Sequence, residues 1–126
     1  MRLAMLPICV FLAACVSGTT GSQSQIRYLG VETKRLDDEL VNFIVRVQNP
    51  RTAIDVGNYA LCAAAQYTKI RGYGYARHVR TNLHEEAGIW VGDAVYTLSP
   101  TVPVGLETID ADITLADCKA RGIATV

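Results

Sequence analysis

Cysteine carries the most reactive chemistry in this chain, and its four copies fall into two groups. Cys9 and Cys15 lie near the N-terminus, whereas Cys62 and Cys118 stand far apart in the body of the chain. Cys15 follows Leu12-Ala13-Ala14, one aliphatic residue and two small ones. Small residues at that place can enter a processing protease, and a thiol is the side chain here nucleophilic enough to become a thioether. His78, His84, Glu85 and Glu86 form the one other group with ligand-type side chains. Their spacing fits no structural zinc pattern, and a polar turn at Asn82–Gly88 would leave them solvated. No metal and no cofactor is therefore expected. No Gly-x-Ser-x-Gly elbow is present, and no glycine-rich phosphate loop precedes a helix. Gly72-Tyr73-Gly74-Tyr75 follows a helix and opens a strand, so its work is capping and turning. The spacing of Ser, His and Asp singles out no triad, and the reading is non-enzymatic.

The residues before Cys15 have the layout of an export signal. Arg2 supplies a positive charge, and Leu3–Leu12 supply a short apolar run, interrupted by Pro7. That run is too short to cross a bilayer, which needs roughly 20 residues. Leu12-Ala13-Ala14-Cys15 resembles the lipobox of a bacterial prolipoprotein. The resemblance implies export, lipidation on Cys15 and cleavage just before it, with residues 1–14 removed. Each buried methylene contributes about 0.8 kcal/mol, so two or three acyl chains, palmitate among them, would anchor stably. Val16 is unlike the Asp that often holds such proteins at the inner membrane, which implies the outer membrane, facing the periplasm. An ordinary secretory signal cut near Ala14 and an uncleaved anchor are the alternatives.

The charge balance bounds the partners. Twelve basic and twelve acidic residues leave a net charge near zero, which argues against nucleic acid and against a polybasic contact with lipid. The partners expected are the membrane, through Cys15, and an envelope protein. With Cys9 removed and Cys15 lipidated, Cys62 and Cys118 are an even pair in an oxidising compartment, which points to a disulfide. Two free thiols are the alternative.

The elements that position these residues follow from periodicity. Residues 15–25 are the acylated cysteine and a Gly/Ser-rich tether, whose ten residues span roughly 17 Å. Residues 26–126 form one domain. Ile26–Thr33 reads as a strand. Leu40–Gln48 alternates, with Val41, Phe43, Val45 and Val47 on one face, and forms an antiparallel hairpin with it. Asp55 is the expected N-cap of a helix that carries Val56, Tyr59, Ala60, Ala63, Tyr67 and Ile70 on one stripe. Cys62 falls at the edge of that stripe, and Gly72 caps the end. Tyr73–Thr81 and Ile89–Leu98 read as strands, the latter central because both faces are apolar. Glu107–Leu115 alternates as a fifth strand, and Ala116–Arg121 forms a short turn of helix carrying Cys118. The fold class is α+β: an antiparallel sheet of about five strands with one main helix on one face, in the order β-β-α-β-β-β, plus a short C-terminal helical turn.

The helix followed by Gly72-Tyr73-Gly74-Tyr75 is similar to small uncharacterised proteobacterial envelope lipoproteins, a resemblance that brings no catalytic residues. Two functions compete. One is a non-enzymatic binding or structural module of the envelope, with Tyr73, Tyr75, Trp90 and Tyr96 as a contact patch; these rings packed against the loop Ser99–Gly105 are the alternative. The other is a small periplasmic ligand-binding protein or enzyme, with a site near Arg77, His78 and Asp93. A surface-filling protein with no dedicated partner is a third reading.

Overall fold

The computed structural model describes residues 25–125. The signal segment, Cys15 and most of the tether lie outside the described residues. The chain runs β1 (Arg27–Arg35), β2 (Leu40–Gln48), α1 (Ala53–Ile70), β3 (Tyr75–Glu86), β4 (Ile89–Ser99), β5 (Thr108–Asp110) and α2 (Ala111–Ala120). The five strands form one antiparallel sheet in the order β1-β2-β4-β3-β5. This is the α+β architecture that the patterning predicts, with β4 at its centre.

Alternation decides what the sheet buries. Val41, Phe43, Val45 and Val47 are fully buried, and they pair with Tyr96, Ala94, Gly92 and Trp90 of β4. Paired residues share a face, so these side chains make one floor, and α1 covers it with Val56, Tyr59, Ala60, Ala63 and Ala64. The alanines let the helix approach closely while favouring helix. Both helices end in the same way. Gly72 (φ 80°) and Gly122 (φ 66°) take the left-handed conformation, and the next N–H returns to the helix, from Tyr73 to Thr68 O at 2.9 Å and from Ile123 to Cys118 O at 3.0 Å. This bonding satisfies carbonyls the helix leaves open.

Cys62 and Cys118 form a disulfide that joins α1 to α2. Both cysteines are fully buried: Cys62 lies at the margin of the apolar stripe, where the disulfide and α2 cover it.

Four expectations are corrected. The cap of α1 is Thr52, in extended conformation, and Asp55 stands three residues inside the helix. Its carboxylate reaches back to accept from the backbone N–H of Arg51 at 2.8 Å and of Thr52 at 3.4 Å. β3 begins at Tyr75 and continues to Glu86, so His84, Glu85 and Glu86 lie in a strand rather than a turn. The reversal needs just two residues, Ala87 (φ 49°) and Gly88 (φ 81°), the conformation that matches strand twist in tight hairpins. The alternation of Ile109, Ala111, Ile113 and Leu115 is not a strand beyond Asp110. The Asp110 carboxylate accepts from Ile113 N–H at 3.1 Å, capping a helix at the point where the pattern invites a ladder. The last helix is therefore ten residues long rather than a short turn.

Candidate functional site

A bulge creates the most structured polar group on the helix side of the sheet. β3 pairs with β4 through His78↔Tyr96 and then Arg80↔Val95, leaving Val79 as an extra residue. Without it, residues three apart would face opposite sides of a strand. With it, His78 and Thr81 share the face that looks toward α1. Bulges re-aim side chains in this way and occur next to functional sites.

The loop from β4 to β5 supplies the third member. Glu107 adopts φ 62°, a left-handed conformation costly for a side chain of this kind. It is held there at two points: its carbonyl accepts from His78 N–H at 3.1 Å, and its carboxylate Oε2 lies 2.9 Å from His78 Nδ1. On the other side of the ring, Nε2 is 2.6 Å from Thr81 Oγ1. When Nδ1–H donates to Glu107, Nε2 is the acceptor for the Thr81 hydroxyl. Backbone strain held beside such a chain of hydrogen bonds marks a place where structure is spent on geometry.

These groups border an open cleft of about 300 Å³ between α1 and the sheet. Gly57 and Leu61 of α1, Ile109 of β5 and Tyr96 form its apolar part. The Tyr96 ring meets the imidazole edge to face, with centroids 5.2 Å apart. Burial, and then the nearby Glu107 charge, push the Tyr96 phenol well above its ordinary range, so it stays a neutral hydrogen-bonding group. Gly57 keeps the cleft open: a Cβ there would meet nothing within 4 Å, although Gly inside a helix costs about 1 kcal/mol relative to Ala.

The sequence-based site groups are dispersed. Tyr96 is buried, and Trp90 packs on the core at the other end of β4. Tyr75 pairs with Ser99 and Asp110 on the opposite face, and Tyr73 lies before β3 with the Arg71 guanidinium 5.9 Å from its ring centroid. The four rings therefore form no single patch, because β4 spans the sheet end to end and strand alternation splits them. Arg77 and Asp93 lie on the face away from α1, separated from His78 by the same alternation. Asp93 instead accepts from Asn42 Nδ2 and pairs with Arg80 at 3.3 Å. His84 also faces away from His78, and among the described residues no three His, Cys, Asp or Glu side chains converge as metal ligands would. Thr81 and Glu107 escaped the sequence reading: a bulge leaves no periodic signal, and Glu107 sits in a loop.

Residues 28–122 match the family described as the YNQ4 C-terminal domain, a span that runs from β1 past α2 and takes in every cleft residue. This chain belongs to that family. The chain is also similar over 86 residues, at 38% identity, to an uncharacterized 26.9 kDa protein in the nqo8 5' region of Paracoccus denitrificans. That similarity covers 68% of this chain and 34% of the relative, so the chain spans about a third of the length of the curated relative it matches. No solved structure matches the chain.

Proposed function

We propose that this domain is the binding module of a lipid-anchored envelope protein, held at the outer membrane through Cys15 and facing the periplasm. Its binding surface is the cleft together with the loop beside it. The observation that supports binding is that loop. Ser99–Leu106 holds no charged residue, and Val102, Val104 and Leu106 are 64%, 97% and 87% exposed. Exposed apolar surface of this kind, adjoining a structured polar group, suits contact with another protein. The anchor rests on Leu12-Ala13-Ala14-Cys15 and the short tether that follows.

The test is in-cell crosslinking from a photoreactive residue at Val104, with Lys34 on the far edge strand as control. A stoichiometric envelope protein captured from Val104 alone is expected, and background at both positions removes the binding reading. Cys15→Ser should leave the chain unacylated and shift it from membranes to the soluble fraction. Membrane partition unchanged by that substitution removes the anchor.

A second reading has its own support. Thr81, His78 and Glu107 stand in the order hydroxyl, imidazole, carboxylate, which is the order of an activated nucleophile. This moves the small-enzyme alternative from Arg77 and Asp93 to Thr81 and Glu107. Turnover of p-nitrophenyl acetate by the full chain, abolished in His78→Ala, would support it; turnover equal to that of His78→Ala removes it.

A further inference from the structure

The binding reading leaves open what the cleft receives, and the sheet edge beside it bears on that. β3 extends to Glu86, yet β5 pairs with only Tyr75–Arg77. From Thr81 onward no strand lies on that side of β3 among the described residues. Asn82–Glu86 are all exposed. An unpaired edge is a row of N–H and C=O groups at strand spacing, and this one borders an apolar cleft. The cleft lining holds one carboxylate, Glu107, and no Lys or Arg. Glu85 shares a face of β3 with Thr81 and Leu83 farther along the same edge. Both arginines of β3, Arg77 and Arg80, face the other way.

We infer that this edge takes an extended basic peptide, added as a strand in line with β5, with one Lys or Arg side chain laid into the cleft. The inference rests on the binding reading and names the partner's chemistry. The aliphatic stem covers Leu61, Ile109 and the Tyr96 ring, and the cationic head reaches the Glu107 carboxylate, where a charge-assisted hydrogen bond forms. Main-chain bonds along Thr81–Glu86 supply affinity, and the cleft supplies selectivity. The bulge at Val79 and the charges near the strand's end guard the edge against indiscriminate pairing. Gly57 keeps room for the side chain.

The experiment pans the full chain, in detergent micelles, against a random nonapeptide library. Enriched sequences should alternate, avoid Pro and share a Lys or Arg at one fixed position on the cleft-facing side. Methylating alternate backbone nitrogens of the best peptide should weaken binding about tenfold or more, since its strand-pairing donors are lost. Gly57→Leu, which fills open space on a helix, should weaken it by about tenfold without lowering the melting temperature. Amide exchange of Leu83–Glu86 should slow when peptide is bound. Equal binding of the methylated peptide, equal binding by Gly57→Leu, an acidic consensus, or dimerisation of the chain through β3 would each overturn the inference. No enrichment would also overturn it. Should Val104 still capture an envelope protein in that case, the binding reading survives and strand addition alone fails; should both experiments fail, both fall.

Discussion

Gly92 sits in β4 beneath Val56 of α1. A Cβ at that position would stand 2.9 Å from Val56 Cγ1 and 3.0 Å from Val45 Cγ2. Both neighbours are fully buried and β-branched, so neither swings away at χ1. Gly92→Ala should therefore destabilise the fold by about 1–3 kcal/mol, read as a lower midpoint in chemical denaturation; an unchanged midpoint would contradict the close approach. Gly57→Ala should have the opposite sign, a gain of about 0.5–1 kcal/mol, because its added methyl meets open space. The disulfide is the other effect owed to single residues. Cys62 and Cys118 are 56 positions apart, and loss of the loop they close should cost about 4 kcal/mol on the chain-entropy account. Cys62→Ser with Cys118→Ser, compared with the parent in denaturant, measures it. The sequence pointed to this pair through its even count and the oxidising compartment that the lipobox-like run implies, while the depth of Cys62 was hidden, because a helical stripe does not reveal that α2 covers its margin.

At the scale of elements, the start of α1 carries a pH dependence. The Arg51 side chain beside it, helped by the backbone N–H groups of Arg51 and Thr52, holds the Asp55 carboxyl below its ordinary value of 3.8. The folded form thus favours the ionised carboxylate. Its contribution is present above pH 3.8 and is lost as pH falls below that, through the lowered native value. Asp55→Asn should be less stable at neutral pH by about 1 kcal/mol, and the gap between variant and parent should close in acid. A gap independent of pH would show that the carboxylate's charge has no part. The β3–β4 hairpin offers a second test. Ala87 holds φ 49° where Asn or Gly is at ease, so Ala87→Gly should raise the melting temperature; a fall would contradict this turn geometry. Elements with long, clean periods were legible: Leu40–Gln48 is a strand at the expected bounds, and β4 is central as its two apolar faces imply. The segment after Glu107 was not, because four alternating apolar residues fit the end of a strand and the start of a helix alike until Asp110 is seen capping.

For the molecule as a whole, the strands and α1 contribute to one continuous core, with Ile123 and Ala124 beyond α2 packed against it. Unfolding should therefore be a single transition. The fluorescence of Trp90, the sole tryptophan, and far-ultraviolet circular dichroism should trace coincident curves on heating the full chain. Separate curves would mean that α2 and the sheet part independently. Some properties are local and belong to the sequence alone: the lipobox-like run before Cys15, the neutral charge balance, the α+β class, the glycine caps and the cysteine pair are read from neighbouring residues or from counts. The cleft belongs to the tertiary structure. His78, Thr81, Tyr96 and Glu107 come from two strands and a loop, and they meet because one bulged residue turns Thr81 to the face of His78 while a left-handed Glu107 folds back over the ring. Register and bulge are set by the packing of distant segments, and that information has no period in the chain for a sequence reading to detect.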